Sequence, residues 1–161
     1  HKIYLVINLL TFTGVKPNTK KHNTNIAFTP GGSVAAVHHK FKLFGSETKS
    51  LTAGNSVVTF GTPLGPMGLL VCADIYGSTA LLQQLRYTKK ARVVAFTAYW
   101  TVSGSVNWQT NYAKKYGVYL VAANTVSSPG MGGGIYDPTG KPMVQKVAGT
   151  PSILVAKIPV K

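Results

Sequence analysis

Residues 68–85, GLLVCADIYGSTALLQQL, contain the one cysteine of the chain, Cys72, directly after a short apolar run. The run GLLV is typical of a buried strand, and a Ser-Thr pair followed by regularly spaced leucines predicts a helix over 78–90. The segment therefore predicts a strand followed by a helix, with Cys72 at the turn between them. A thiol in this position is either inert core packing or a nucleophile.

The alternation of strand and helix continues after this segment. Strands are predicted over 91–100 (ARVVAFTAYW) and 118–125 (VYLVAANT), and the helix between them, over 105–117, ends at a C-cap glycine. Apolar strands separated by helices indicate a parallel sheet covered by helices. The length of 161 residues fits one domain of mixed α+β or α/β class.

The flanking segments are predicted to be strands joined by turns. A strand over 2–10 precedes a polar loop over 13–23, and two pairs of strands follow over 25–44 and 56–74. The turn of the first pair lies at Pro30-Gly31-Gly32. The tail over 132–158 is predicted to form three short strands.

The charge of the chain is strongly positive, with 17 lysines and arginines against 3 acidic residues and a net charge of +14. Such an excess is typical of proteins that bind nucleic acid or anionic membranes. The basic residues are scattered singly or in pairs, and no aromatic-rich RNA-binding strand is found, so nucleic acid is not the favoured partner. No apolar run of about 18 residues predicts a transmembrane segment.

Metal and paired-carboxylate chemistry have few candidate residues. The acidic residues are Glu47, Asp74 and Asp137, too few for an all-carboxylate metal site. His38 and His39 are adjacent, so they point to opposite faces of a strand. We therefore expect neither a metal nor another cofactor.

Polar or reactive residues lie at the carboxyl ends of three of the predicted strands. They are Cys72 with Asp74, then Tyr99-Trp100, then Asn124. Because ligands of parallel α/β sheets bind beyond the carboxyl ends of the strands, we expect these side chains to meet at one edge. A thiol there lies close to a helix N-terminus, where thiols ionise more readily, and this favours a nucleophile.

A nucleophilic thiolate also needs a proton acceptor and a group that stabilises the oxyanion. Lys40 ends a predicted strand, so its ammonium group either points into the same cleft or is solvated. We predict a polar contact between Lys40 and Cys72 or a bound anion. Asp74 is predicted to cap the following helix or to hold a loop through backbone N–H groups.

Two of these stretches resemble motifs of the nitrilase (carbon–nitrogen hydrolase) superfamily. HHKFKLFGSE (38–47) is similar to its lysine motif, and LLVCADI (69–75) is similar to its cysteine motif. Further stretches resemble the vanin/biotinidase branch, which includes the pantetheinases, and they run in order from about residue 2 to residue 158. They include VTFGTPLGPMG (58–68) and MGGGIYDPTGKP (131–142).

The resemblance implies a nitrilase-type αββα sandwich, truncated at the N-terminus, in one partial domain over 1–161. It implies a Glu-Lys-Cys triad in which Cys72 attacks an amide, while Lys40 and the backbone N–H of Ala73 stabilise the tetrahedral intermediate. Glu47 matches a second, supporting glutamate, and the short loop FKLFGSE is expected to hold it near Lys40, where it orients the lysine. The principal glutamate base would lie on a preceding segment or a second chain.

The resemblance further implies a secreted or extracellular amidase. Its small-molecule substrate would be a linear, non-peptide amide of the pantetheine or biotinyl type, with Tyr99, Trp100 and Asn124 in the substrate site. Without the principal glutamate, the chain alone is expected to be a poor catalyst. The alternative is a protein of this fold that has lost catalysis and serves in binding or storage.

Overall fold

A computed structural model of the chain describes residues 3–101, 104–125, 131–147 and 149–159. They form two sheets. The first has the order β1-β2-β3, with the bounds Leu5–Thr13, Lys20–Phe28 and Val34–His39. The second runs in order through β4 (Thr59–Thr62), β5 (Gly65–Val71), β6 (Val93–Thr97), β7 (Tyr119–Ala123), β8 (Gly132–Tyr136) and β9 (Pro142–Val147). The helices are α1 (Glu47–Ser50), α2 (Thr79–Gln83) and α3 (Ser105–Tyr116), with a 3-10 segment at Cys72–Tyr76 and a π-helical turn at Gln84–Thr88.

The centre of the second sheet is parallel, as the sequence predicts. Strand β6 lies between β5 and β7 and pairs with both in parallel register. The carboxyl ends of these three strands therefore meet at one edge, where Cys72 follows β5. The outer strands β4, β8 and β9 pair antiparallel.

Helices α2 and α3 cover one face of this sheet. Leu70, Phe96 and Leu120 of the parallel strands pack with helical side chains such as Leu82 and Tyr112 in one buried cluster. Each large apolar side chain buried in this way stabilises the fold by about 1.5–3 kcal/mol. This layer fixes the positions of the strand ends.

The two sheets pack face to face around a second buried apolar cluster. Ala27 and Ala36 of the first sheet contact a cluster that includes Leu69 and Ala95 of the second. The described residues supply two sheets and one helical layer, so the second helical layer of the predicted αββα sandwich is not among them. Leu5 and Leu9 of the first sheet are exposed.

The prediction of a polar loop over 13–23 is wrong at its second half, because β2 begins at Lys20. The polar groups at the start of β2 have hydrogen-bond partners on β1 and in the loop that follows α1. His22 is buried and its ring nitrogens lie 2.9 Å from Thr13 Oγ1 and 2.9 Å from the Thr52 carbonyl oxygen. Apolar periodicity does not detect a strand whose buried side chains are polar.

Two other predicted elements differ in extent. The helix predicted over 78–90 is α2 followed by the π-helical turn, with Ser78 as the predicted N-cap. The tail forms β8 and β9, but the described residues 149–159 contain no third strand. Among the described residues, no helix is long and apolar enough to cross a membrane.

Candidate active site

The Cys72 turn is a strained junction between β5 and the 3-10 segment. Cys72 has φ 49°, in the left-handed region that residues other than glycine rarely adopt. Its side chain is half-buried. Strain of this kind costs about 1–3 kcal/mol and persists where the surrounding structure enforces it, most often at functional sites.

The surrounding structure includes Asp74, which is fully buried and accepts four hydrogen bonds. Its Oδ2 accepts from the Val71 backbone N–H at 3.0 Å and lies 2.9 Å from His38 Nε2. Its Oδ1 accepts from the backbone N–H groups of Phe41 at 3.0 Å and Lys42 at 2.8 Å. Asp74 thus fastens the loop that follows Lys40 to the cysteine turn, which is one of its two predicted roles.

Lys40 lies at the end of the first sheet with only 2% of its side chain exposed. Its ammonium group donates to Glu47 Oε2 at 2.5 Å, and this pairing offsets the cost of burying the charge. The predicted contact between Lys40 and Cys72 is therefore not observed among the described residues. The loop over 41–46 returns Glu47 to the lysine, and the ammonium group pairs with this carboxylate.

Glu47 is held by three donors. Besides Lys40, these are Asn23 Nδ2 at 2.9 Å and the Phe44 backbone N–H at 3.0 Å. Partial burial raises the pKa of Glu47, but the hydrogen bonds from Lys40, Asn23 and Phe44 outweigh it and hold the pKa below its ordinary value. Glu47 is therefore an ionised partner of Lys40.

This lowered pKa predicts a pH-dependent contribution to stability. Between the folded and unfolded pKa values the unfolded chain binds more protons at Glu47, so the free energy of unfolding rises with pH there. The contribution is full above the unfolded pKa of about 4.3 and is lost as the pH falls through the folded value. Urea unfolding of the native chain and Glu47→Gln at several pH values measures it. The difference should be constant above about pH 5 and shrink below about pH 4; a difference that stays constant on acidification would contradict it.

The ends of β6 and β7 meet the cysteine turn, as the strand order predicts. Trp100 Nε1 donates to Cys72 Sγ at 3.1 Å. The Trp100 backbone N–H donates to Asn124 Oδ1 at 2.8 Å, and Asn124 Nδ2 donates to the Gly132 carbonyl oxygen at 3.2 Å. Trp100 is 7% exposed and Tyr99 is 76% exposed, so the two aromatic residues have different environments. Asn124 also borders a cavity of about 720 Å³ between the sheets.

Two aromatic residues of the site were not identified from the sequence. Tyr76 stacks on Trp100 with centroids 6.0 Å apart and lies 5.2 Å from the ring of Trp108. Burial raises the pKa of Tyr76, and the charges of Cys72 and Glu47 raise it further. Both groups therefore lie within electrostatic range of the Tyr76 hydroxyl. The available signal was only that Tyr76 lies four residues after Cys72 in the sequence.

Ala73, the predicted source of an oxyanion-stabilising N–H, lies fully buried in the first turn of the 3-10 segment. Backbone N–H groups at a helix start have no acceptor within the helix and favour negative charge. The predicted donor thus lies directly beside the thiol.

All three carboxylates of the chain are engaged in the structure. Glu47 pairs with Lys40, and Asp74 is enclosed. Asp137 Oδ1 accepts from Thr139 Oγ1 at 2.6 Å and from the Thr139 and Lys141 backbone N–H groups in the β8–β9 turn. In the described part of the chain, no group of three or more His, Cys, Asp or Glu residues is placed to hold a metal ion.

A family model and several known proteins match the sequence of this chain. The model of the carbon-nitrogen hydrolase family matches residues 1–161. A pantetheine hydrolase of Homo sapiens is 28% identical over an alignment of 125 residues, which covers 74% of this chain and 24% of that protein. A biotinidase of Takifugu rubripes is 30% identical over an alignment of 150 residues, which covers 86% of this chain and 29% of that protein.

A solved structure supports the fold. The crystal structure of an amidase from Nesterenkonia sp. superimposes with a TM-score of 0.75 at 20% identity, covering 92% of this chain and 58% of that one. The chain therefore has part of a nitrilase-like fold. It spans less than a third of the length of the pantetheine hydrolase and of the biotinidase, at 24% and 29%.

Proposed function

Because this chain belongs to the carbon–nitrogen hydrolase family, we propose that it hydrolyses a linear, non-peptide amide through an acyl-enzyme on Cys72. The observation that carries the proposal is the bridge made by Asp74. One buried carboxylate joins the loop after Lys40 to the Cys72 turn through backbone N–H groups on both sides. A lysine and a thiol that are joined in this way form a preorganised site.

The reaction proceeds in two steps. The Cys72 thiolate attacks the amide carbonyl carbon, the new C–S bond gives a tetrahedral oxyanion, and the C–N bond then breaks as the amine leaves with a proton. The Ala73 N–H and the positive charge of Lys40 stabilise the oxyanion. Water then attacks the thioester, which releases the carboxylic acid and restores the thiol.

Lys40 acts in this scheme as part of an ion pair. Because its ammonium group is buried and hydrogen-bonded to Glu47, its position is fixed before the substrate binds. A fixed charge in a water-poor site stabilises a developing oxyanion more strongly than a solvated lysine does. Glu47 thereby supports the site without accepting the thiol proton.

The proton acceptor is proposed to lie outside the 161 residues. None of the three carboxylates is free for that role, since each already accepts hydrogen bonds from the chain. A carboxylate on another segment of a longer protein, or on a second chain, would take the thiol proton and later activate water.

The proposed substrate is an amide of the pantetheine or biotinyl type. Its support is the similarity to a pantetheine hydrolase and a biotinidase. Tyr99 and Trp100 remain predicted contacts for the acyl group, with Asn124 at the edge of the site. A secreted or extracellular location is part of the same proposal.

A second candidate function is binding or storage without catalysis. The engaged state of all three carboxylates favours it, because a site without a free base binds an amide but does not turn it over. The two functions differ in whether Cys72 becomes acylated.

Assays of the purified chain with pantetheine and with biotinyl amides test the proposal. General-base help contributes about 10²–10⁴ to the rate, so turnover by the chain alone should be slower than that of a complete amidase by about this factor. Glu47→Gln should lower the residual rate without abolishing it, because Lys40 loses its ionised partner but no general base is removed. Ordinary enzymatic rates that Glu47→Gln abolishes would show that Glu47 is the base.

A further inference from the structure

We propose that the indole N–H of Trp100 is the hydrogen-bond donor that stabilises the Cys72 thiolate, so that Trp100 positions the nucleophile in addition to any contact with substrate. The inference rests on the proposed function only for its catalytic consequence. The contact itself is a property of the folded chain.

The first support is the geometry of the contact. Trp100 Nε1 lies 3.1 Å from Cys72 Sγ, a short separation for an N–H donor and a sulfur acceptor. An indole N–H donates and never accepts, so the sulfur must be the acceptor. A thiolate is the better acceptor of the two sulfur states, and a hydrogen bond to the charged form favours that form.

The second support is the rigidity of the donor. The Trp100 ring lies 5.3 Å from Phe96 in an edge-to-face arrangement and stacks on Tyr76. Its backbone N–H is held by the Asn124 amide oxygen at 2.8 Å. The indole is therefore already held in place when the thiolate forms. A donor that needs no reorganisation stabilises the charge most effectively.

The third support is the engagement of the other candidate donors. Lys40 donates to Glu47, and His38 Nε2 is directed at Asp74. The Tyr76 hydroxyl lies within electrostatic range of Cys72, but among the described residues it makes no hydrogen bond with the sulfur. Among the described residues, Trp100 is thus the side chain that donates a hydrogen bond to the thiol.

The test is the pH profile of Cys72 alkylation by iodoacetamide, measured by intact mass on the native chain, Trp100→Phe and Trp108→Phe. Phenylalanine keeps an aromatic ring and removes the N–H. Trp100→Phe should move the midpoint of the profile upward by about one to two pH units. The loss of one hydrogen bond to a charged group changes a titration midpoint by about this amount. Trp108→Phe is the matched control, since Trp108 contacts Tyr76 and is half exposed.

A second measurement uses the native chain and does not depend on the folding of Trp100→Phe. The chain has 2 tryptophans, so its ¹H–¹⁵N spectrum contains two indole resonances, and Trp108→Phe identifies the one from Trp100. That resonance should titrate with the midpoint of the alkylation profile.

Overlapping alkylation profiles for folded Trp100→Phe and the native chain would overturn the inference, as would a Trp100 resonance that does not follow the thiol. Neither readout requires amide turnover. A shifted profile in a chain whose Cys72 is not acylated by an activated ester would therefore refute the proposed function and retain the role of Trp100.

Discussion

Replacing Cys72 with alanine is expected to abolish the rapid acylation of this chain by an activated ester such as p-nitrophenyl acetate. The leaving group of this ester needs no protonation, so the thiolate should react even without an external base. Water attack on the thioester does need that base, so the native chain should release about one equivalent of p-nitrophenol and then slow sharply. Cys72→Ala should show no such burst.

The lysines of this basic chain make a control necessary. Acylated lysine is an amide, which neutral hydroxylamine leaves intact, whereas the thioester at Cys72 is cleaved. The label on the native chain should therefore be removed by hydroxylamine, and the label on Cys72→Ala should not. An equal burst from both proteins would show that Cys72 is not the nucleophile.

Replacing Asp74 with alanine is expected to cause a large loss of stability. The substitution removes the acceptor of four hydrogen bonds in a site with no exposed surface, so the donors of Val71, His38, Phe41 and Lys42 lose their buried partner. The free energy of unfolding should fall by about 3–5 kcal/mol, as in other broken buried pairs. Urea unfolding followed by circular dichroism measures the loss.

Two further variants make this result specific. Asp74→Asn keeps the size of the side chain but replaces one acceptor oxygen by a donor, so the loss should be about 2 kcal/mol. Asp137→Ala removes a carboxylate from an exposed turn and should cost about 1 kcal/mol or less. If Asp74→Ala costs no more than Asp137→Ala, the bridge between the lysine loop and the cysteine turn is not a principal support of the site.

The parallel centre of the fold was predictable from the sequence because its strands are apolar and its helices amphipathic. The local signals were the apolar runs over 68–71 and 118–125 and the C-cap at Gly117. The structure contains a strand or a helix end at each of these places. Strand β2 was only partly predictable. Its first residues are polar. The buried ring of His22 has hydrogen-bond partners on β1 and in the 51–54 loop, which lie at a distance in the sequence.

The members of the candidate site were more predictable than their contacts. Cys72, Lys40 and Asn124 stood out because each lies at the end of a predicted strand. The short loop between Lys40 and Glu47 indicated that the two lie close together, and they do pair. The sequence did not show that Trp100 donates to the thiol, because that contact depends on how separate strand ends come together. Side-chain pairing across a site is set by packing and is not encoded in spacing along the chain.

The most direct test of the central claim is to map the acyl group on the native chain. The chain is incubated briefly with an activated ester, digested at acidic pH to preserve thioesters, and analysed by peptide mass spectrometry. A hydroxylamine-sensitive acyl group on the peptide that contains Cys72, in near-stoichiometric amount, is the predicted result. Acylation confined to lysines, with an unmodified and still alkylatable Cys72, would contradict the claim that this thiol is the nucleophile of an amidase site.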